Sequence, residues 1–227
     1  SHLADKVMVV GNVDNHHLSG KVMDKTQTAY TNIVEATPRN TAAAIAFAAF
    51  AAQSEDILIV TPSDHIIDDM EQYNQAIQEA IEKASKGFIV TFGIVPTKPE
   101  TGYGYIERRG DDVVSFREKP NKVTATDFIA KGNFLWNSGM FCFKAGVLLA
   151  QMQQHCPDIL NTTRQCLAAS RRTQGQNITQ VELDPDSFIQ VPENSIDYAV
   201  MEKCQNMAQV RHQPTCPASK FSAQQWV

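Results

Sequence analysis

Residues 56–92 read DILIVTPSDHIIDDMEQYNQAIQEAIEKASKGFIVTF. The run at 56–61 is apolar and β-branched, with the length of a buried strand. Pro62-Ser63-Asp64-His65 ends it. Over residues 71–86, Tyr73, Ala76, Ile77, Ala80, Ile81 and Ala84 recur at helical spacing. Gly87 breaks that helix, and residues 88–92 form the next strand. Strands separated by a helix of this length predict a parallel, right-handed crossover, and therefore an α/β fold.

The same alternation extends towards the start of the chain. Residues 6–10 form a short β-branched run closed by Gly11-Asn12, and residues 32–36 form another. Thr37-Pro38-Arg39-Asn40-Thr41 then introduces an alanine-rich helix over 42–52, with Asn40 or Thr41 as its N-cap. So much alanine predicts a buried helix packed closely on a sheet. After Pro99 the links shorten. Strands at 105–108, 113–116 and 134–143 predict a mixed or antiparallel patch. Helices follow at 146–154, 157–169 and 195–204, with a polar loop at 171–177. Residues 211–227 hold two prolines, a cysteine and no periodicity, and read as an irregular tail. With no repeat and no linker, residues 1–210 read as one core domain.

Composition narrows the function classes. The chain has 227 residues, enough for one large domain or one with a small appendage. With 43% hydrophobic and 20% charged residues, disorder is excluded as the dominant state. A net charge of −5 is the wrong sign for a nucleic-acid binder. No apolar run is long enough to span a membrane. Ser1-His2 opens no basic region followed by an apolar core, so no secretory signal is expected. Five cysteines, an odd count without a C-x-x-C pair, predict free thiols in a reducing cytoplasm.

Ligands of open α/β sheets bind at the carboxyl ends of strands. Asp64 stands there, either as a ligand that holds a divalent cation against phosphates or as the cap of the following helix. Ser63 precedes it, and His65 reads as a packing or loop residue. Arg39, Asn40 and Thr41 stand before a helix whose free amides and adjacent guanidinium suit an anion; an ordinary capped start is the competing reading. Gly102 and Gly104, in Pro99-Glu-Thr-Gly-Tyr-Gly-Tyr105, let a ligand approach the backbone, or form a hairpin turn. Glu118-Lys119-Pro120 offers an acceptor for sugar hydroxyls and a point charge for phosphate. Asn137-Ser138-Gly139 interrupts an apolar strand and implies a polar ligand or a bulge. Asp197 opens a helix and reads equally as a site residue or a partner of the helix dipole. His16-His17 reads as a solvated pair in a polar loop. No motif supports a nucleophilic triad or a zinc site.

Six segments together carry a family resemblance: Thr37-Pro-Arg-Asn-Thr-Ala42, Ile59-Val-Thr-Pro-Ser-Asp-His65, the stretch from Phe92 to Ile106, Phe116-Arg-Glu-Lys-Pro120, Trp136-Asn-Ser-Gly-Met-Phe141 and Asn194-Ser-Ile-Asp-Tyr-Ala-Val-Met-Glu-Lys203. In these the chain resembles the sugar-1-phosphate nucleotidyltransferases, nearest the bacterial mannose-1-phosphate guanylyltransferases, from about Lys6 to Val210. The resemblance implies a Rossmann-like fold with a mostly parallel mixed sheet flanked by helices. It implies GTP and mannose 1-phosphate as substrates, Mg2+ as cofactor, and GDP-mannose and pyrophosphate as products. Asp64 then resembles a catalytic metal ligand and Lys119 a catalytic cation. Arg39, Asn40, Thr41 and Ser63 resemble the nucleotide side. Gly104, Glu118, Lys119, Asn137 and Asp197 resemble the sugar-phosphate side.

The family's opening strand and Gly-rich G-G-x-G-x-R-L loop have no counterpart here. Neither has its W-x-D-x-G segment, since Trp226 lacks the Asp and Gly. The sequence therefore reads as a core fragment, incomplete at its N-terminal strand. An exposed sheet edge, covered by a second copy, is the expected consequence. The competing expectations are a catalytically inactive binding remnant, or a transferase for another sugar 1-phosphate.

Overall fold

The structure, a computed structural model, describes residues 4–26 and 28–211. Along the chain come β1 (Val7–Asn12), α1 (His16–Thr26), β2 (Tyr30–Glu35), α2 (Asn40–Ala51), β3 (Ile57–Val60), α3 (Met70–Ser85) and β4 (Ile89–Ile94). Next are β5 (Tyr105–Arg109), β6 (Asp112–Arg117), α4 (Lys122–Lys131), β7 (Phe134–Lys144), α5 (Ala145–His155) and α6 (Pro157–Ala169). The last are β8 (Arg171–Gln174), β9 (Ile178–Glu182), α7 (Pro185–Phe188), a π-helical turn (Asp197–Met201) and β10 (Met207–Arg211). They form two compact units, one of residues 4–52 with 152–196, the other of 53–151 with 197–211.

The first unit holds a sheet of order β1-β2-β9-β8. β1 and β9 both run parallel to β2, and β8 returns antiparallel to β9. Ile33 of β2 packs with Ala43 and Phe47 of α2, Cys166 of α6, and Phe188 of α7. The Phe47 and Phe188 rings stack at 5.8 Å. Alanine on α2 does what its small volume allows: Ala42, Ala43, Ala46 and Ala49 are all buried.

The second unit holds a sheet of order β3-β7-β4-β10-β6-β5, with β5 also paired to β7. The six apolar positions of α3 read from the sequence pack as one stripe against β4, β7 and Val210 of β10. A second cluster joins Ala125 of α4 to Ile94, Tyr105, Phe134 and Trp136.

The α/β class and the mixed pairing stand, but the strands divide between two sheets. Among the described residues three strand pairings are parallel and six antiparallel, so parallel pairing does not dominate. The reason is β7. Its eleven residues lie antiparallel to β3, β4 and β5. β3 and β4 thus share a direction, as the crossover through α3 requires, yet β7 sits between them.

Several local expectations need correction. The N-cap of α2 is Arg39, without a side-chain cap bond; Asn40 instead takes φ 66 and accepts from the Thr41 amide. α3 is capped by Asp69, whose carboxylate accepts from the Gln72 amide, so Asp64 is not its cap. His16 and His17 open α1 rather than lying in a loop. Residues 171–174 form β8, since β9 offers them a ladder. Over 195–204 the helix shrinks to Ile196 and the five-residue π turn that follows it. Arg211 ends β10; the rest of the expected tail, 212–227, lies outside the described residues.

Candidate functional site

In the second unit, β6 ends at Arg117 and the chain turns through Glu118-Lys119-Pro120. Lys119 takes φ 43, uncommon for any residue but glycine and more so before proline. Such strain costs on the order of 1–3 kcal/mol and persists only where the surroundings impose it. Here the Glu118 amide donates to Glu202 Oε1 at 2.8 Å, anchoring the turn to the π-helical segment. The Glu118 side chain is only 7% exposed, and the Lys119 ammonium lies 3.6 Å from its Oε1. Glu118 Oε2 is buried without a partner.

Asn137 of β7 is the hub beside it. Its Nδ2 donates to Asp197 Oδ1 at 2.9 Å. Its Oδ1 accepts from Thr91 Oγ1 and from the Gly139 amide, both at 3.1 Å. The ladder between β4 and β7 slips here, and Gly139 takes φ 74. The polar interruption of this strand is therefore a bulge. Gly104 brings its backbone against the same group, its carbonyl accepting from the Asn137 amide at 2.8 Å. A Cβ on Gly104 would stand 2.5 Å from Glu118 Oε2 and 3.3 Å from Asn137 Cβ.

Electrostatics follow from that packing. Burial, with Asp197 nearby, raises the Glu118 carboxyl from 4.5 to about 7. Burial raises Asp197 from 3.8 to about 6, against the favourable Lys119 charge and the Asn137 hydrogen bond. Two acids, one of them with an unused acceptor, thus share one exposed cation. The structure brings Gly104, Glu118, Lys119, Asn137 and Asp197 together; sequence reasoning did not find Thr91 and Glu202. Ser63 and Asp64 are exposed in the connection after β3, and burial lowers the pKa of His65 beside them.

The first unit holds Arg39, Asn40 and Thr41. Arg39 Nη2 donates to the Ile189 carbonyl at 2.9 Å, while its Nε is buried without a partner. Thr41 Oγ1 accepts from the Ile196 amide at 2.9 Å. The Thr41 and Ala42 amides are already taken, by Asn40 Oδ1 and the Asn194 carbonyl. The expectation of free helix-start amides is corrected for these two, because Asn40 and Asn194 occupy them.

Among the described residues, no three His, Cys, Asp or Glu side chains gather to hold a metal ion. No described helix is long and apolar enough to cross a membrane. Cys142, Cys156, Cys166 and Cys204 are free thiols; Cys216 lies outside the described residues.

Residues 1–180 match the family model for nucleotidyl transferases. The chain is 41% identical over 187 residues to a mannose-1-phosphate guanylyltransferase of Escherichia coli K12, covering 75% of this chain and 38% of that protein. It is 42% identical over 182 residues to the alginate biosynthesis protein AlgA of Pseudomonas aeruginosa, covering 75% and 37%. It spans well under half the length of these relatives. A solved structure of mannose-6-phosphate isomerase from Helicobacter pylori superposes with TM-score 0.89 at 36% identity, covering 92% of this chain and 83% of that one. With a family match over residues 1–180, most of its length, this chain belongs to the nucleotidyl transferase family.

Proposed function

We propose that this chain carries sugar-phosphate and nucleotide binding sites of a mannose-1-phosphate guanylyltransferase. That reaction joins GTP and mannose 1-phosphate. A phosphate oxygen of the sugar attacks the α-phosphorus in line, the α–β anhydride bond breaks, and pyrophosphate leaves with GDP-mannose formed. Such chemistry asks a protein chiefly to position two polyanions and offset their charge.

The observation that carries this reading is the orphaned Glu118 Oε2 beside the Asn137–Asp197 pair. A buried acceptor without a donor costs about 1–3 kcal/mol, which a sugar hydroxyl would relieve. The Lys119 ammonium, over half exposed, is placed to hold the sugar's phosphate. Gly104, lacking a Cβ, lets the Glu118 carboxylate pack against its backbone and so sets where that acceptor stands. In the first unit Arg39 and Asn40 face the nucleotide, and Thr41 holds the start of α2 in place. Ser63, in the second unit, is exposed after β3 and offers a hydroxyl to a phosphate oxygen.

Asp64 supplies one exposed carboxylate. It suits Mg2+, which takes one or two carboxylates and completes its shell with phosphate oxygens and water. When bound, the ion offsets charge on the phosphates. The free thiols suit a reducing cytoplasm.

The test is pyrophosphate release from GTP, mannose 1-phosphate and Mg2+ by this chain, beside a full-length relative. Release that needs both substrates supports the reading, and replacing GTP by dTTP or UTP, or the sugar, reads specificity. Because the chain spans 38% of the E. coli relative, a second reading is binding without turnover. Equilibrium dialysis with each substrate separates the two. A chain that binds neither substrate overturns both.

A further inference from the structure

Ile89, Val90, Phe92 and Ile94 of β4 are buried and apolar, and Thr91 among them is 0% exposed. A strand covered on both faces favours apolar, β-branched side chains, and valine has the shape of threonine without its hydroxyl. A buried hydroxyl costs free energy unless it is bonded. What the Thr91 hydroxyl bonds to therefore decides why a threonine stands there.

Val90 and Phe92 pack on the α3 side, so strand alternation turns Thr91 to the other face. Asn137 lies on that face, paired with Gly93. The ladder slips between Thr91 and Gly93, and the slip lets the Thr91 hydroxyl donate to Asn137 Oδ1 at 3.1 Å. On the β10 side the register partner of Thr91 is Gln209, 3% exposed, whose Nε2 is turned to the Gly110 carbonyl.

The Asn137 amide has a second donor at its oxygen, the Gly139 amide. That N–H fixes which end of the side chain is oxygen, but it lies two residues on in the same strand. It constrains the amide only relative to its own bulge. Among the described residues, Thr91 is the side chain that fastens the Asn137 oxygen to a neighbouring strand. At the other end Nδ2 donates to Asp197 Oδ1 at 2.9 Å, and Asp197 accepts besides from its own backbone amide. The position of this carboxylate is thus tied, through one amide, to the core of β4.

We propose that Thr91 is a positioning residue for the sugar phosphate, holding the Asn137 amide whose Nδ2 fixes the Asp197 carboxylate beside the ligand. This rests on the sugar-phosphate reading above. It extends that reading to a core residue that touches no ligand.

A consequence distinguishes this role from plain packing. Asp197 accepts best from a sugar hydroxyl as a carboxylate, and the bond from Nδ2 favours that form. Weakening the bond lets Asp197 take up a proton at higher pH. The charged groups acting on it, Lys119, Glu118 and Glu202, stay in place when Thr91 is changed.

The experiment measures binding of mannose 1-phosphate and of GTP from pH 5 to pH 8 by the 227-residue chain, by Thr91→Val and by Thr91→Ser, with a thermal melt of each. The titration of the ligand itself is common to all three proteins. Thr91→Val should bind mannose 1-phosphate about 3- to 10-fold more weakly at neutral pH, the size of one neutral hydrogen bond, with GTP binding unchanged. The acid side of its binding profile should move to higher pH. Thr91→Ser keeps the hydroxyl and loses a buried methyl, so it should melt lower yet bind mannose 1-phosphate within about twofold of the wild type. A serine variant that binds as weakly as the valine variant overturns the proposal, since packing alone would then explain both. So does a valine variant that binds like the wild type, one that loses GTP by the same factor, or one whose acid side does not move. If the wild type binds no mannose 1-phosphate, the sugar-phosphate reading fails and the proposal with it.

Discussion

Ionising Glu118 is costly in this fold, and the sign of its pH dependence follows. Below about pH 4.5 the carboxyl is protonated whether the chain is folded or not. Between 4.5 and about 7 only the folded chain keeps the proton. Stability from this group is therefore complete at low pH and is lost as pH rises to 7. At about 1.4 kcal/mol per pKa unit, the loss is on the order of 3 kcal/mol. Asp197, raised to about 6, pushes the same way. Glu118→Gln should flatten the fall in melting temperature between pH 5 and pH 7.5; equal slopes in both proteins would remove Glu118 as the cause. Lys119, Asp197 and Glu202 are the charged neighbours acting on it, so the comparison is best made at one ionic strength. Gly104→Ala probes the same spot sterically. Its Cβ would meet Glu118 Oε2 at 2.5 Å and the Phe116 ring at 3.1 Å. Displacing that packed carboxylate should cost about 1–3 kcal/mol in a denaturant titration and weaken mannose 1-phosphate binding more than GTP binding. Equal weakening of both would count against a sugar-side role.

The element scale separates two aspartates that the sequence could not. Asp69 caps α3, with Oδ1 accepting from the Gln72 amide at 2.9 Å, whereas Asp64 stands exposed five residues earlier. Asp69→Ala should cost about 1 kcal/mol and lower the melting temperature by a few degrees. Asp64→Ala should leave the melting temperature unchanged and abolish the Mg2+ dependence of nucleotide binding, read by titration with and without EDTA. The reverse pattern would assign the roles the other way round. α3 itself was legible because six apolar residues repeat on one stripe. α4 was not, since it buries only Ala125, although Asn121 and Gly132, with φ 71, cap its two ends. β8 is four exposed polar residues, a strand only because β9 pairs with it. The insertion of β7 between β3 and β4 is a long-range event without a local signal. The site shows the same division. The motifs named Glu118, Asn137 and Asp197, but only the fold shows Thr91 and Asp197 bound to opposite ends of the one Asn137 amide, Thr91 donating to its oxygen and Asp197 accepting from its nitrogen.

At the scale of the molecule, the sheets differ at their edges. In the first, the β8 edge is Arg171-Arg172-Thr173-Gln174, fully exposed and charged. That is how natural sheets guard an open ladder. The opposite edge, β1, reads Val-Met-Val-Val-Gly-Asn and is half-buried throughout. In the second sheet β5 pairs on both sides, so among the described residues β3 is the open edge; its Ile-Leu-Ile-Val is likewise half-buried. Among the described residues, these two apolar edges have no strand paired on their outer side, and their backbone donors and acceptors are ones that another strand can satisfy. The expected partner is a second copy of the chain, because each copy offers the same edges at the same concentration. Sedimentation velocity over a wide range of loading concentrations should show mass rising with concentration. Leu58→Lys puts a charge on the β3 edge away from the α3 core, which Ile57 and Ile59 serve. It should shift the distribution towards monomer with little change in melting temperature. A wild type that stays monomeric at every concentration would mean that these edges are shielded without a second copy, and self-association through them would be wrong.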